Sequence, residues 1–201
     1  SHQYSIRISK LAEHRNTVGA SATIDRIPTF RYYEQPLRTM IERGHLCNYD
    51  VHIPVFSKKP QDKLVCQHLL DNYKSMIVFL FRSEHAKQIN HMLNVLSPGS
   101  SALILCSTSA AERKRKIRQF KSGQLLFLVN VGVLIEGFDA PNCKGCCLLD
   151  LSHSPRRLIQ EIGRILRPCE GKRVAHVVLP FIEDEDHIII HDFLNTLASC
   201  D

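Results

Sequence analysis

A short segment late in the chain has the residue types and the spacing of an anion-binding site. It contains Gln160, Gly163, Arg164 and Arg167, and Pro168 follows it. On a helix, Gln160, Arg164 and Arg167 would share one face, because residues three, four and seven apart are neighbours there. Guanidinium groups bind phosphate oxygens through paired hydrogen bonds. A glycine inside a helix costs about 1 kcal/mol relative to alanine, so Gly163 favours a polyanion site over the alternative, a solvated basic face.

Two further segments follow apolar runs of strand length. One leaves a buried strand at Asn130 and continues to Gly137 and Asp139, whose carboxylate could accept hydrogen bonds from a ribose. The other is Arg82 and Ser83 after the apolar residues 76–81. There Ser83 is predicted to cap a helix whose terminal N–H groups suit phosphate. Neither segment alone is enough to predict a binding site. Both, however, follow the carboxyl end of a predicted strand, which is where open α/β sheets bind their ligands.

The elements that must position these residues alternate from about residue 60 onward. Strands are predicted at residues 76–81, 102–106, 125–130, 146–151 and 174–179. Between and after them lie helical patterns, one of which begins at a Ser109 capping box and another at Ser154. Before them, residues 37–44 are predicted as a short helix and residues 49–56 as an entering strand. This alternation requires an α/β fold, a parallel sheet with helices on both faces in three layers.

Composition narrows the class of partner. The 201 residues carry 26 Lys and Arg against 20 Asp and Glu, a net charge of +6 that suits a phosphate-rich partner. No apolar run approaches the ~20 residues of a membrane helix, so no membrane partner is expected. The eight cysteines are too few for a disulfide scaffold, which indicates reduced thiols in an intracellular protein.

Two patterns in the chain could be mistaken for binding sites. Cys143, Cys146 and Cys147 have a spacing that could bind zinc, but no second pair of ligands follows, so we expect no zinc and assign no metal ligand. The basic run at residues 112–118 could contact nucleic acid, but we interpret it as the solvated face of a helix.

The segment from Gln160 to Arg167 resembles motif VI of superfamily 2 helicases. In the order that this family requires, residues 136–141 resemble motif V, residues 77–89 resemble motif IV, and Ser21, Ala22 and Thr23 resemble motif III. Residues 33–49 are similar to the segment that connects the two lobes. The resemblance therefore covers nearly the whole chain. It implies that residues 1–27 are the tail of a first RecA-like lobe with its linker, and that residues 28–201 are the second RecA-like lobe.

The resemblance also implies a role for each matching residue. Arg167 would be the arginine finger on the γ-phosphate, Arg164 its partner at the nucleotide, and Gln160 the amide at the cleft between lobes. The residues expected to approach the nucleotide are Gly137, Asp139 and Gly163; those expected on the nucleic-acid backbone are Arg82, Ser83 and Asn130; those expected to couple the two sites are Ser21, Ala22 and Thr23.

One position departs from the family pattern. Where motif V usually has a threonine that contacts the backbone, this chain has Val131, and Gly132 replaces the usual acidic residue. Either Asn130 supplies the missing hydrogen bond or the contact with the strand is weakened.

The sequence also resembles one branch of the superfamily more than the others. The glutamine that opens motif VI, and Ile165 and Leu166 between its arginines, are similar to the DNA-translocating branch. That branch includes viral proteins, the transcript-release helicases of poxviruses and their African swine fever virus counterpart, whereas DEAD-box RNA helicases usually open the motif with His-Arg. The alternatives are an RNA helicase lobe, a non-catalytic RecA-like binding module, and a nucleotide-binding enzyme of unrelated chemistry.

The implied cofactors and partners extend beyond this chain. ATP and Mg²⁺ are expected, but the chain has neither a Gly-x-x-x-x-Gly-Lys-Ser/Thr loop nor an Asp-Glu box. We therefore expect a longer protein whose first lobe, upstream, supplies the phosphate cradle and the Mg²⁺ ligands. Further expected partners are DNA and transcription or replication proteins, in the cytoplasm, including a viral factory or virion, or in the nucleus.

Overall fold

The computed structural model describes residues 36–56, 62–132, 142–150, 162–182 and 187–200. Its helices are α1 (Leu37–Glu42), α2 (Asp62–Asn72), α3 (Ser83–Leu96), α4 (Ala110–Lys121) and α5 (His187–Cys200), and residues 162–165 are also helical. Its strands are β1 (Asn48–His52), β2 (Val55–Phe56), β3 (Met76–Leu80), β4 (Ser101–Ile104), β5 (Phe127–Val131), β6 (Gly145–Leu148), β7 (Val174–Val178) and β8 (Phe181–Ile182). Among the predicted site residues, those outside these ranges are Ser21, Ala22, Thr23, Gly137, Asp139 and Gln160.

Six of the strands form one parallel sheet in the order β1-β7-β6-β3-β5-β4. β3 lies in its interior between β6 and β5, and its five side chains are all buried. Such a strand must be apolar throughout, because it packs on both faces. β2 and β8 form a separate parallel pair.

Two hydrophobic clusters cover the two faces of the sheet. Along β3, Ile77 and Phe79 belong to one cluster, whereas Met76, Val78 and Leu80 belong to the other. The first cluster also holds buried side chains of α4, of residues 162–165 and of α5, and the second holds those of α2 and α3. The predicted three-layer α/β/α architecture is confirmed.

The element ends differ from their predicted positions by a few residues. The strand predicted at residues 102–106 is Ser101–Ile104, and the strand predicted at residues 146–151 stops at Leu148. The entering strand is divided at Ile53 and Pro54, because β1 pairs with β7 while β2 pairs with β8 in the smaller sheet.

Of the three predicted helix caps, Ser154 lies outside the described residues, and Ser109 and Ser83 have opposite outcomes. The Ser109 hydroxyl accepts a hydrogen bond from the Glu112 amide at 3.3 Å, so that prediction is confirmed. The prediction for Ser83 was wrong: Arg82, in an extended conformation, is the cap residue of α3, and Ser83 is the first helical residue. Within the described ranges, no helix is both long and apolar enough to cross a membrane.

Candidate nucleotide and nucleic-acid site

The short helix of residues 162–165, which carries Arg164, is held against the sheet by its apolar side. Ile162, Ile165 and Leu166 are 0–1% exposed and belong to the first core cluster. The predicted helix ends earlier than expected: Arg164 lies in it and is half-buried, whereas the exposed Arg167 lies two residues beyond its last residue and so does not share a helical face with Arg164. In the described part of the chain, no heavy atom lies within 4 Å of the position that a Cβ would take at Gly163. Core packing therefore orients this segment and leaves room beside Gly163 for another surface.

The carboxyl end of this helix is anchored by two groups that the sequence analysis did not single out. The Lys172 ammonium donates hydrogen bonds to the carbonyl of Ile165 and, at 3.1 Å, to that of Arg167. The amide of Cys47, just before β1, donates to the carbonyl of Leu166 at 2.8 Å. The last carbonyls of a helix have no partner within it and are electronegative. The almost buried Lys172 ammonium therefore supplies hydrogen bonds to these carbonyls next to Arg167, the predicted arginine finger.

A tight turn brings Lys172 to this place. Its amide donates to the Cys169 carbonyl at 3.1 Å, and Gly171 has a φ of +78°, in the left-handed region that favours glycine. Sequence spacing gives no indication of this contact, because a lysine after a turn is ordinarily solvated.

Replacing Lys172 with methionine should reduce the free energy of unfolding by roughly 2 kcal/mol. The two lost hydrogen bonds to a charged group are worth about 1.5–3 kcal/mol each, and part of that loss is offset because an almost buried charge no longer has to be desolvated. Urea denaturation of the two proteins measures the difference. The matched control is Lys114→Met on the exposed side of α4, which should change stability by less than about 0.5 kcal/mol. Equal effects of the two substitutions would contradict an anchoring role for Lys172.

A second group of polar residues lies where β3 and β6 end. The Asp150 carboxylate accepts a hydrogen bond from the Phe81 amide at 2.9 Å and lies 3.9 Å from the Arg82 guanidinium. His85 Nδ1 lies 3.5 Å from Asp150, and its Nε2 lies 3.2 Å from Asp62. The Arg82 side chain is 78% exposed. The structure thus presents Arg82 to solvent at the carboxyl edge of the sheet, next to the half-buried Asp150, which holds its loop.

The charges of this group depend on one another. The Asp150 carboxylate is the main influence that raises the pKa of His85; burial opposes it and Asp62 adds to it. Burial alone would raise the pKa of Asp150, but the interactions with His85 and the Phe81 amide together hold it below its ordinary value. The protonated imidazole is therefore favoured between two carboxylates.

The pH dependence of stability should reveal this arrangement. Because the pKa of His85 is higher in the folded protein, its stabilising contribution is complete below the unfolded value of about 6.5 and is lost as the pH rises through the folded value. The stability difference between the wild type and His85→Gln should therefore be larger at pH 5.5 than at pH 8.5, as measured by urea denaturation. A constant difference would contradict the ion pairing.

Of the three predicted contacts with nucleic acid, the structure presents two to solvent. Arg82 and Ser83 are exposed, but Asn130 is 0% exposed in β5, between Phe79 of β3 and Ile104 of β4. This burial favours the second of the two alternatives for motif V, a weakened contact with the strand. Gly132 has a φ of +68°, a conformation that favours glycine over the acidic residue usual in the family.

The cysteines that resemble a zinc motif lie inside the fold. Cys146 and Cys147 belong to the clusters on opposite faces of the sheet. Cys143 is buried; its thiol donates to the Gly145 carbonyl at 3.2 Å, and burial raises its pKa to about 11. A metal binds the thiolate form, which the raised pKa of Cys143 disfavours, and Cys146 and Cys147 lie on opposite faces of the sheet. That no zinc binds at these cysteines stays a prediction. In the basic run, Lys114, Arg115 and Arg118 are exposed, as a solvated face requires.

A parallel α/β/α sheet with an arginine-bearing helix on one face defines the class of the protein as a RecA-like domain. The chain belongs to the family described as helicase conserved C-terminal domain, whose model matches residues 60–169, more than half of the chain.

Two relatives with helicase names and one solved structure of similar fold are compared with the chain. It is 33% identical over 120 residues to irc3 of Schizosaccharomyces pombe, named as a mitochondrial ATP-dependent helicase, which covers 60% of this chain and 20% of that protein. It is 25% identical over 194 residues to helicase A859L of African swine fever virus, which covers 86% of this chain and 22% of that one. Its fold matches the ATP-dependent Type ISP restriction-modification enzyme LlaBIII bound to DNA, with a TM-score of 0.68, 17% identity, and coverage of 84% and 15%. The chain thus spans about a fifth of these two relatives.

Proposed function

We propose that this chain is the C-terminal lobe of an ATP-dependent superfamily 2 DNA helicase or translocase. The observation that carries the proposal is the position of Arg167, exposed just beyond a helix whose last carbonyls are fixed by Lys172 and by the Cys47 amide. A group that must reach a reacting phosphate on a second lobe has to be solvent-accessible and firmly held.

In the proposed mechanism, ATP bound on the first lobe draws the two lobes together. Closure would bring Arg167 to the γ-phosphate, where its guanidinium stabilises charge in the transition state, with Arg164 beside it. The two guanidiniums suit a polyphosphate, as does Gly163, whose Cβ position has no atom within 4 Å in the described residues beyond its own helix. Mg²⁺, when bound, neutralises phosphate charge; its carboxylate ligands are assigned to the first lobe, because this chain has no Asp-Glu box.

The second function of this lobe is to grip the nucleic-acid backbone. Arg82 and Ser83 are exposed at the carboxyl end of β3, and Asp150 holds their loop through the Phe81 amide. Contacts of this kind go to phosphates and carry no sequence information. Alternating closure and opening of the lobes would then move the protein along a strand.

DNA is the proposed track, and the DNA-translocating branch is the proposed place in the superfamily. Motif VI opens with Gln160 rather than with a His-Arg pair. The similarity to the African swine fever virus helicase extends over 86% of this chain, and LlaBIII, of similar fold, is bound to DNA. A strand-displacement assay of the complete protein, with DNA and RNA as alternative tracking strands, tests the assignment. Arg82→Ala should weaken strand displacement more than Arg82→Lys does. Displacement along RNA but not along DNA would overturn the assignment to DNA.

The 201-residue chain alone should show no ATP hydrolysis above background, because the phosphate cradle and the Mg²⁺ ligands supply most of the catalysis in phosphoryl transfer. It should bind single-stranded DNA weakly, and the affinity should fall as salt is raised, because the remaining contacts are mainly ionic. An ATPase assay and titrations at two salt concentrations measure both. Hydrolysis by the purified chain would show that the catalytic groups have been misplaced.

A further inference from the structure

Three potential metal ligands converge at the edge of the sheet. Asp50 of β1 and His176 of β7 are register partners in the parallel ladder, and His52 lies two residues beyond Asp50, on the same face of β1. His176 Nδ1 lies 2.7 Å from Asp50 Oδ1, and His52 Nε2 lies 3.2 Å from Asp50 Oδ2. Each side chain therefore directs a donor atom toward the same small volume.

The spacing of these atoms suits one ion. One ligand atom from each residue lies within 4.8 Å of the other two. Tetrahedral zinc with bonds of about 2.0–2.1 Å places its ligand atoms ~3.3 Å apart. The distances between the ligand atoms of Asp50, His52 and His176 range from 2.7 Å to at most 4.8 Å, which includes this value. The three side chains are 35–44% exposed, so an ion could enter and water could complete its coordination.

A fourth residue holds one of the imidazoles in position. The Tyr73 hydroxyl lies 2.7 Å from His52 Nδ1, and Tyr73 is only 9% exposed. If His52 Nε2 binds a cation, its Nδ1 carries the proton and donates it to the Tyr73 oxygen. Histidines that bind metals typically have such a partner on the second ring nitrogen, because it fixes the orientation of the ring.

The electrostatic surroundings set the strength of binding. Burial raises the pKa of Asp50, but hydrogen bonds with His176 and His52 outweigh it and keep the carboxyl below its ordinary value, so it is ionised at neutral pH. Lys74 and Lys144 line, with Asp71 and His176, a cavity of about 240 Å³ next to the cluster, so two cations there face one carboxylate. Because these ammonium groups repel a cation, moderate affinity is expected rather than that of a closed structural site.

We propose that Asp50, His52 and His176 form a binding site for a divalent transition-metal ion, and we choose Zn²⁺ as the ion to test. The ion would replace the two hydrogen bonds that His176 Nδ1 and His52 Nε2 make to Asp50, with each imidazole carrying its proton on the other ring nitrogen, and would tie the edge strand β1 to β7. Two imidazoles and one carboxylate are suitable zinc ligands, with water in the fourth position. None of the three residues is among the predicted nucleotide and nucleic-acid residues. The sequence predicts no metal ligand, because that expectation rests on ligands close together in sequence. Asp50 and His176 are 126 residues apart and meet only in the folded sheet.

Isothermal titration of the 201-residue chain with Zn²⁺ tests the proposal, together with Co²⁺ absorption in the visible range. The protein should carry Cys106→Ser and Cys169→Ser, because these two thiols are the least buried of the seven cysteines whose burial the structure describes. One equivalent of Zn²⁺ should bind. His52→Ala, His176→Ala and Asp50→Asn should each weaken binding at least about tenfold, and Tyr73→Phe should weaken it by about 10-fold or more while leaving the three ligands in place.

The matched control is His91→Ala, which removes an exposed histidine of α3 outside the cluster. It should leave zinc affinity and the Co²⁺ spectrum unchanged. Circular dichroism identifies any variant that fails to fold, and such a variant is replaced by Tyr73→Phe as the deciding measurement. The absence of stoichiometric binding, or binding that the ligand variants and Tyr73→Phe do not alter, would overturn the proposal. These readouts do not depend on ATP hydrolysis, so they are independent of the proposed helicase function.

Discussion

In the complete protein, Arg167→Ala is expected to lower ATP turnover by about 10³–10⁵-fold, the range of arginine fingers in other NTPases. ATP affinity should change little, because a finger that acts in the transition state contributes mainly to turnover and not to ground-state binding. Arg167 is exposed and its carbonyl is held by Lys172, so the substitution should remove the guanidinium without disturbing the fold. Steady-state turnover and direct ATP binding measure the two effects separately.

Two further variants make this experiment decisive. Arg118→Ala removes an exposed arginine from α4 and should leave turnover unchanged. Arg167→Lys keeps the charge but loses the two-pronged geometry of the guanidinium, so it should recover only a small part of the activity. Turnover close to that of the wild type in Arg167→Ala would show that another residue stabilises the γ-phosphate.

The largest expected loss of stability comes from Gly145→Ala in the interior of the sheet. A Cβ at Gly145 would lie 2.3 Å from the carbonyl oxygen of His176 and 3.0 Å from both His176 Cβ and Met76 Cε. Gly145 pairs with Met76 on one side and with His176 on the other, so neither neighbouring strand can easily move away. Because overpacking typically costs 1–3 kcal/mol and sometimes more, we expect a loss of about 3 kcal/mol or more in urea denaturation.

Gly163→Ala is the matched control for this substitution. No described atom lies within 4 Å of a Cβ at Gly163, and alanine is favoured over glycine inside a helix by about 1 kcal/mol. This variant should therefore be as stable as the wild type or more stable. If Gly145→Ala also retained wild-type stability, β6 would have to pair less closely with its neighbours than the structure indicates.

The sequence predicts the centres of the elements better than their ends. The run that forms β3 is apolar at every position because it is buried on both faces, and such a run can be identified without a structure. The ends depend on pairing between distant segments. The division of the entering strand at Pro54 follows from a separate pairing with β8, which no local pattern encodes.

In the candidate site too, local sequence patterns identify some residues, whereas others depend on contacts between distant segments. Arg164 and Arg167 are identified by their spacing on one predicted helix, and Arg82 by its place after a buried strand. The groups that position them come from elsewhere in the chain: Lys172 and the Cys47 amide for the arginine helix, and Asp150 for the Arg82 loop. These contacts depend on the tertiary fold, and their residue types are common on protein surfaces.

The pairing of β1 with β7 has a consequence for how the protein is made. Asn48 and Val174 are register partners although most of the domain separates them in sequence. During synthesis, β1 leaves the ribosome well before β7, so this edge of β1 is unpaired while the intervening strands are made. Contacts between distant segments slow folding, and unpaired strands are prone to aggregate in the meantime. The same late step supplies the Cys47 amide to Leu166, so the arginine helix should become fully ordered only when the last strands have been added.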